Sequence, residues 1–351
     1  MAGCGVVFIV GAPRSGTYLL VTRLSALFPL AIPVETHFMP LFQRVLPLWG
    51  DLGIEGNRRR LLACIYDFLE IFTPRSERGR NWEQIRRYSL LATKAHAEAI
   101  VSRSSNYQQL IAGLYQEYAK LHGAHLAGDK SAFFFPLPLE LLAQVVPHLK
   151  VIHIVRDGRD VCLSWQAIWT GPETLTEAAY LWRDHVRDKQ RWGKAHPDRY
   201  LEVRYEDLLE DPQGVFNRLG VFLGLPRSDF APERSAIAQV LAEGATHHKV
   251  AEPLDSGNKE KWKYLMSDSD QALFEYHAGS VLRDNGYPTV DRIYTTRERF
   301  YYALLLVGAR LRAWLSLRRW RLWLKSVLPV AIWMARRCRF PLVKALNRRS
   351  R

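Results

Sequence analysis

The feature that most constrains the fold is a glycine-bounded loop that directly follows a short apolar segment near the start of the chain. The segment Val6–Val10 (VVFIV) is β-branched and apolar, as in a central parallel strand that is covered on both faces. Residues 11–17 (GAPRSGT) follow at once, and leucines at helical spacing continue to Leu27. The order strand, glycine loop, helix predicts a turn whose backbone N–H groups face a phosphate.

The loop differs from a Walker A motif because no lysine follows its second glycine. In Walker A that lysine reaches the β- and γ-phosphates of a nucleoside triphosphate. Its absence favours a single 5′-phosphate position in the cradle, with Arg14 supplying the cation from inside the loop.

Two further strand-to-helix units follow along the chain, at residues 151–155 (VIHIV) and 200–203 (YLEV). Strands alternating with helices predict an α/β fold, here a P-loop NTPase-like parallel sheet flanked by helices. The stretch from about residue 41 to 126 has a helical character and no Gly/Pro linker. It predicts a helical insertion over the sheet, formed either by plain structural helices or by an acceptor-binding lid.

A second anion site is predicted where the strand at 151–155 ends. Arg156 stands at its carboxyl end, where open α/β sheets bind ligands, and Ser164 follows eight residues later on the next helix. An arginine fork and a facing hydroxyl could clamp a separate phosphate. Together with the loop, this pair predicts a nucleotide with phosphates at two places.

These segments resemble the PAPS-dependent sulfotransferase superfamily, and within it the branch that includes tyrosylprotein sulfotransferases and many bacterial sulfotransferases. The matching segments occur in the family's order over roughly residues 5–290. They are PRSGT at 13–17, ETH at 35–37, GDK at 128–130, VRDGR at 155–159 with Ser164, RYEDL at 204–208 and KEKW at 259–262. The first and the fourth together are highly specific, whereas the others are weak singly.

The resemblance implies which residues bind the donor nucleotide. They are Arg14, Ser15, Gly16, Thr17, Tyr18, Arg156, Ser164, Tyr205, Lys259 and Lys261. The loop would hold the 5′-phosphosulfate, and Arg156 with Ser164 the 3′-phosphate. Tyr205 would lie near the nucleotide, and the segment at 259–262 would close over it. The family usually has a second threonine where this chain has Tyr18, so the chain departs from the family's pattern at that one hydroxyl contact.

The resemblance also implies three catalytic residues. Glu35 falls at the position of the general base, and Lys130 at that of a lysine that contacts the leaving oxygen of the donor. Arg14 would share the neutralisation of that oxygen. His37 stands where the tyrosylprotein branch has an arginine, which weakens the case for peptide tyrosine as acceptor and makes His37 an alternative base.

The basic charge of the chain is confined to its C-terminal segment. Residues 297–351 hold 13 arginines and 2 lysines against one glutamate, which accounts for the whole net charge of +14. We therefore expect a sulfotransferase domain at 1–296 and a basic, Trp- and Arg-rich helical tail at 297–351. Such an amphipathic pattern is typical of helices that lie on anionic membrane surfaces. Packing on the body of the enzyme or on a partner subunit is the alternative.

Other features of the sequence narrow the choice of cofactors and partners. The four cysteines are scattered without metal-ligand spacing, so no metal is expected. The body carries no basic patch or base-stacking motif, so no nucleic acid is expected. The run at 6–10 is too short for a signal sequence and lacks a basic segment before it, which predicts a cytoplasmic protein, peripheral at the inner face of the membrane.

The sequence therefore predicts an enzyme that transfers the sulfuryl group of PAPS to an acceptor hydroxyl by in-line displacement, releasing 3′,5′-ADP. The acceptor would be a carbohydrate, a lipid-linked compound or another small alcohol or phenol, with peptide tyrosine left open. One alternative is an ATP-dependent small-molecule kinase. Another is a degenerate phosphate-loop module that binds a nucleotide without catalysis.

Overall fold

The computed structural model describes residues 5–33, 36, 38–72, 94–131, 139–166, 168, 171–228, 255, 257–290 and 292–315. Its strands are β1 (Val6–Val10), β2 (Leu30–Ala31), β3 (Leu126–Ser131), β4 (Lys150–Val155) and β5 (Tyr200–Arg204). All of the pairings are parallel, and the strands lie in the order β2-β3-β1-β4-β5. The first strand of the chain therefore lies at the centre of this sheet.

Helices flank the sheet. They are α1 (Thr17–Leu27), α2 (Phe38–Val45), α3 (Glu55–Phe72), α4 (Lys94–Arg103), α5 (Tyr107–Leu121), α6 (Leu139–Val145), α7 (Gly158–Gln166), α8 (Leu175–Ala195), α9 (Tyr205–Glu210), α10 (Pro212–Leu223), α11 (Trp262–Leu265), α12 (Asp268–Asp284) and α13 (Thr296–Leu315). Short 3-10 helices lie at Leu46–Trp49 and Pro197–Arg199. Within the described ranges, no helix combines the length and the apolar character needed to cross a membrane.

Local sequence accounts for where several helices begin and end. The side chain of Thr174 caps α8 by accepting from the backbone N–H of Glu177 at 3.1 Å. At α10 the cap is Asp211, Pro212 occupies the first turn, and Gly224 ends the helix at φ 69°. Thr174 and Asp211 each accept from a backbone N–H that has no partner within its helix. Gly224 adopts the left-handed backbone angle that ends α10.

The alternation of side chains along β1 divides the core into two layers. Phe8 and Val10 face a cluster formed with α2 to α6. Ile9 faces the opposite layer, which contains α1, α9 and α10. A third cluster packs α7, α8 and α12 against Val155 at the carboxyl end of β4, and Ala309 of α13 belongs to it. The sheet is thus covered on both faces, as its apolar strands require.

The structure confirms the predicted α/β fold with its phosphate-loop architecture, and it confirms the three predicted strands as β1, β4 and β5. The predicted helical stretch contains α3, α4 and α5. The sequence prediction missed β2 and β3. β2 is only two residues long, and β3 (LAGDKS) lacks β-branched residues. Gly128 in β3 permits close packing, since a Cβ there would lie 2.9 Å from the carbonyl oxygen of Val7.

Candidate active site

The loop after β1 adopts a backbone that side chains rarely allow. Arg14 has φ 71° and Gly16 has φ 90°, both in the left-handed region. A Cβ on Gly16 would also lie 2.4 Å from the ring of Tyr205, so glycine is required there. The indole N–H of Trp165 donates to the carbonyl of Pro13 at 2.8 Å and holds the loop against α7. A non-glycine residue in this region costs about 1–3 kcal/mol and points to a functional constraint.

The same loop presents hydrogen-bond donors that could bind an anion. The N-terminus of α1 is capped by Gly16 without any side-chain hydrogen bond, and no acidic residue lies in its first turn. Ser15 is 1% exposed, and its hydroxyl has no hydrogen-bond partner in the described part of the chain. Because buried polar groups are normally satisfied, these groups fit a bound anion such as a phosphate.

Two arginines meet beside the loop. Nη1 of Arg156 donates to the carbonyl of Arg14 at 3.3 Å, and Nη2 forms an ion pair with Asp160 at 3.7 Å. Burial, and next the neighbouring charge of Arg156, lowers the pKa of Arg14. Two cations that approach each other in a partly buried position favour a bound anion.

Ser164 lies in this group, but its partner differs from the predicted one. Nε of Arg14 donates to the Ser164 hydroxyl at 3.0 Å, whereas we expected the hydroxyl to face Arg156. A hydrogen bond therefore joins the loop arginine to α7. Arg156 instead reaches the segment before α11, where it donates to the carbonyl of Asn258 at 2.8 Å.

Tyr205 forms a wall between the loop and Asn258. Its ring lies 4.4 Å from the guanidinium carbon of Arg156, and its hydroxyl accepts from the Asn258 amide at 2.9 Å. The segment that holds Asn258 therefore lies against Arg156. Lys259 forms an ion pair with Glu210, and the partly buried Lys261 immediately precedes α11.

Lys130 lies on the other side of the loop. It is 1% exposed and pairs with Ile9 of β1 in the sheet register. Its Nζ lies 3.4 Å from the ring centroid of Tyr18, the residue that follows the phosphate loop. The structure thus gives Tyr18 a cation–π contact with the lysine where the family has a threonine hydroxyl.

Beside Lys130 lies a buried carboxylate that sequence analysis did not single out. Asp129 is 1% exposed and accepts hydrogen bonds from the hydroxyls of Thr36 and Tyr115. Its second oxygen accepts from the backbone N–H of Lys130 at 2.7 Å. Glu35 and His37 themselves, the predicted base and its alternative, lie outside the described residues.

Other charged groups near the site are structural. Asp157, which follows Arg156, forms an ion pair with Arg159 at 2.7 Å, and Arg159 reaches Glu275 of α12 at 2.8 Å. Trp262 covers the Arg159 guanidinium at 3.4 Å. In the described ranges, no three His, Cys, Asp or Glu side chains are grouped as metal ligands.

Sequence reasoning missed several residues that hold the site. Trp165 supports the loop, Trp182 donates to the carbonyl of Arg156 at 3.1 Å, and Asn258 links Arg156 with Tyr205. Buried tryptophans on α7 and α8 carried no signal that separated them from ordinary core residues. Asp129 was part of a matched segment, but only the fold brings it to Thr36 and Tyr115.

The family and the fold can now be compared with known proteins. The model of the sulfotransferase family matches residues 6–229, more than half of the chain. The solved sulfotransferase domain of the Synechococcus PCC 7002 olefin synthase shares the fold, with a TM-score of 0.53 and 22% identity over 82% of this chain and 96% of that one. This chain belongs to the sulfotransferase family.

Relatives match a smaller part of the chain. The omega-hydroxy-beta-dihydromenaquinone-9 sulfotransferase Stf3 of Mycobacterium bovis is 28% identical over 163 residues, which are 42% of this chain and 38% of that protein. Sulfotransferase 1A1 of Bos taurus is 26% identical over 184 residues, 42% of this chain and 62% of that one. The chain thus spans less than two thirds of the length of either relative.

Proposed function

We propose that this chain transfers the sulfuryl group of PAPS to an acceptor hydroxyl and releases 3′,5′-ADP. The observation that carries the proposal is the convergence of the phosphate loop, Arg156, Ser164 and Lys130 at the carboxyl edge of the sheet. Membership of the sulfotransferase family supports the same reaction.

Each group at this edge has a role in donor binding. The loop amides and the Ser15 hydroxyl bind the 5′-phosphosulfate, and Arg156 binds the 3′-phosphate. Ser164 holds the Arg14 side chain through its 3.0 Å hydrogen bond. Tyr205, Lys259 and Lys261 belong to the wall and the covering segment on the nucleotide side.

Catalysis then requires positioning and charge stabilisation rather than a covalent intermediate. Bound PAPS supplies a sulfuryl group on an activated phosphate. Arg14 and Lys130 stabilise the negative charge that builds on the leaving phosphate oxygen in an in-line displacement. Glu35 accepts the proton of the acceptor hydroxyl, with His37 as the alternative base.

Calorimetric titration with 3′,5′-ADP, 5′-AMP and Mg-ATP tests the choice of donor. We expect 3′,5′-ADP to bind more tightly than 5′-AMP because only the former carries the phosphate for Arg156. A preference for Mg-ATP would favour the small-molecule kinase and would overturn the assignment of Arg156.

Substitution of Glu35 distinguishes an enzyme from a non-catalytic nucleotide-binding module. Glu35→Gln should leave 3′,5′-ADP binding unchanged and remove turnover, because the amide cannot take the acceptor proton. Persistent turnover would exclude Glu35 as the base, and His37→Ala would then be the matched test. A wild-type chain that binds 3′,5′-ADP and never turns over PAPS would favour the binding module.

For the acceptor, we propose an amphipathic or lipid-linked hydroxyl compound, with soluble carbohydrates, phenols and peptide tyrosine as further candidates. Two observations support this class. Stf3, one of the relatives, is by its name a sulfotransferase of a hydroxylated menaquinone, which is a lipid. The C-terminal helix also exposes apolar side chains next to basic ones.

We propose that residues 297–351 dock on an anionic membrane surface, which would place the enzyme at the inner face of the membrane. One face of α13 packs on the body through Tyr302 and Ala309. The opposite face forms an exposed stripe at helical spacing: Phe300, Leu304, Val307, Leu311 and Leu315, each more than half exposed. Apolar side chains beside arginines fit the interface of an anionic bilayer.

Co-sedimentation with phosphatidylglycerol vesicles tests this docking. Leu304→Glu/Leu311→Glu should abolish binding, while phosphatidylcholine vesicles should bind weakly in every case. Val221→Glu, at a position on α10 that is 85% exposed, is the matched control and should bind like the wild type. Unchanged sedimentation of the double variant would refute docking through this stripe.

A further inference from the structure

The buried carboxylate of Asp129 has no role in the chemistry described so far. It is a charged residue on the central layer of the protein, 1% exposed, and the hydroxyls of Thr36 and Tyr115 and the amide of Lys130 all donate to it. Burying a carboxylate is costly unless hydrogen bonds compensate it, so such a group is retained where it serves a purpose.

The strand geometry relates this carboxylate to Lys130. Consecutive side chains of a strand point to opposite faces of the sheet. Asp129 accordingly contacts Tyr115 on α5, whereas Lys130 contacts Tyr18 at the start of α1. The 2.7 Å bond from the Lys130 amide to Asp129 fixes the peptide from which the lysine side chain projects.

The same carboxylate binds Thr36, the residue that follows the proposed base in the sequence. Thr36 is 2% exposed, its hydroxyl donates to Asp129, and Glu35 is the residue directly before it. Asp129 is therefore bonded both to the neighbour of the base and to the backbone of the cation that receives the leaving-group charge.

We propose that Asp129 is a positioning residue that fixes Thr36, the neighbour of the proposed base in the sequence, relative to Lys130. This inference rests on the proposed sulfuryl transfer, because it assigns Asp129 to the geometry of that reaction. In-line displacement is sensitive to such placement, since an error of about 1 Å can cost about 100-fold in rate.

Tyr115 donates the third hydrogen bond to Asp129, and it comes from a helix of the scaffold. It belongs to α5, is fully buried, and also lies 3.4 Å from the Thr36 hydroxyl. Burial, and next the charge of Asp129, raises the pKa of the Tyr115 hydroxyl, which therefore remains a donor at neutral pH. Its shorter bond connects Asp129 to the scaffold, and its contact with the Thr36 hydroxyl is the longer of the two.

Two variants that each remove one donor to Asp129 test the proposal. Thr36→Val removes the bond to the sequence neighbour of the proposed base, and Tyr115→Phe removes the bond to the scaffold. Turnover is measured as 3′,5′-ADP released from PAPS, with 4-nitrophenol as acceptor and in parallel with water alone. Binding of 3′,5′-ADP and the melting temperature are measured on the same samples.

We expect Thr36→Val to lower kcat at least about tenfold with KM for PAPS unchanged, and Tyr115→Phe to lower kcat by no more than about threefold. Thr36→Ser, which keeps the hydroxyl, should restore kcat. Equal losses of kcat in the two variants, in proportion to their melting temperatures, would overturn the inference and leave the proposed function intact. A wild-type chain that does not bind 3′,5′-ADP, or that binds it and releases none from PAPS with any of the proposed acceptor classes, would overturn the proposed function, and the inference with it.

Discussion

The two sides of the phosphate loop are built on different principles. On the β4 side, Arg14 and Arg156 approach each other, and the loop backbone is held in a strained form. On the β3 side, one buried carboxylate accepts hydrogen bonds from two hydroxyls, and Lys130 lies over an aromatic ring. The first arrangement brings two positive charges together and suits the binding of an anion. The second joins its groups to one another and suits the fixing of positions.

The largest loss of kcat is expected on the β3 side, with little change in 3′,5′-ADP affinity. We expect Lys130→Met to lower kcat by about 100- to 1,000-fold, because it removes one charged donor to the leaving oxygen. Its affinity for 3′,5′-ADP should change by only a few fold. The measurement is steady-state turnover of PAPS beside calorimetry, with Lys130→Arg as the charge-conserving control. Equal losses in kcat and affinity would break the division between the two sides.

The reverse pattern is expected on the β4 side. Arg156→Ala should weaken 3′,5′-ADP binding about 100-fold, since hydrogen bonds to charged groups contribute about 1.5–3 kcal/mol each. The affinity for 5′-AMP should change little, because that ligand lacks the 3′-phosphate. Calorimetry with both nucleotides measures the difference. A uniform loss for the two ligands would show that Arg156 supports the loop rather than the 3′-phosphate.

A smaller loss of 3′,5′-ADP affinity is expected at Tyr205, which also lies on the β4 side. Tyr205→Phe keeps the ring beside Gly16 and Arg156 and removes only the hydrogen bond from Asn258. We expect 3′,5′-ADP affinity to fall by about two- to tenfold, in line with about 0.5–1.5 kcal/mol for one hydrogen bond. Asn258→Ala should give a similar value. An unchanged affinity in both variants would separate the Asn258 segment from donor binding.

The smallest effect should lie away from both sides and depend on pH. Burial, and next the charges of Arg183 and Arg310, lowers the pKa of His277 to about 4 from an ordinary value of 6.5. The fold favours neutral His277, so its contribution to stability is complete above about pH 6.5 and is lost as pH falls toward 4. Melting temperatures at pH 7.5 and 5 should differ less in His277→Gln. If 3′,5′-ADP binding changed at acid pH in the wild type and not in His277→Gln, this result would link His277 to the donor site.

The sequence was sufficient for the β4 side of the site because its signals are local. A strand, a glycine loop and Arg156 at a strand end each occupy one short segment, and the structure brings them together as expected. The partner of Ser164 was not predictable, because the choice between Arg14 and Arg156 depends on how α7 is rotated.

The β3 side was hidden for a physical reason. Its strand contains Gly128, Asp129 and Lys130, which have low strand propensity, and pairing with the neighbouring strands β1 and β2 holds it extended. Thr36, Tyr115 and Asp129 come from three segments of the chain separated by up to 93 positions. No periodicity or motif connects them. The roles of Glu35 and His37 stay predictions from the sequence.

The close approach of Arg14 and Arg156 couples folding to the ionic content of the solution. Because the two positive charges repel each other, any anion that bridges them stabilises the native state by mass action. Sulfate or phosphate in a buffer would thus act as a competitor for the donor and as a stabiliser of the protein at once. The same coupling makes melting temperature a screening signal for donor analogues, even while the acceptor is unidentified.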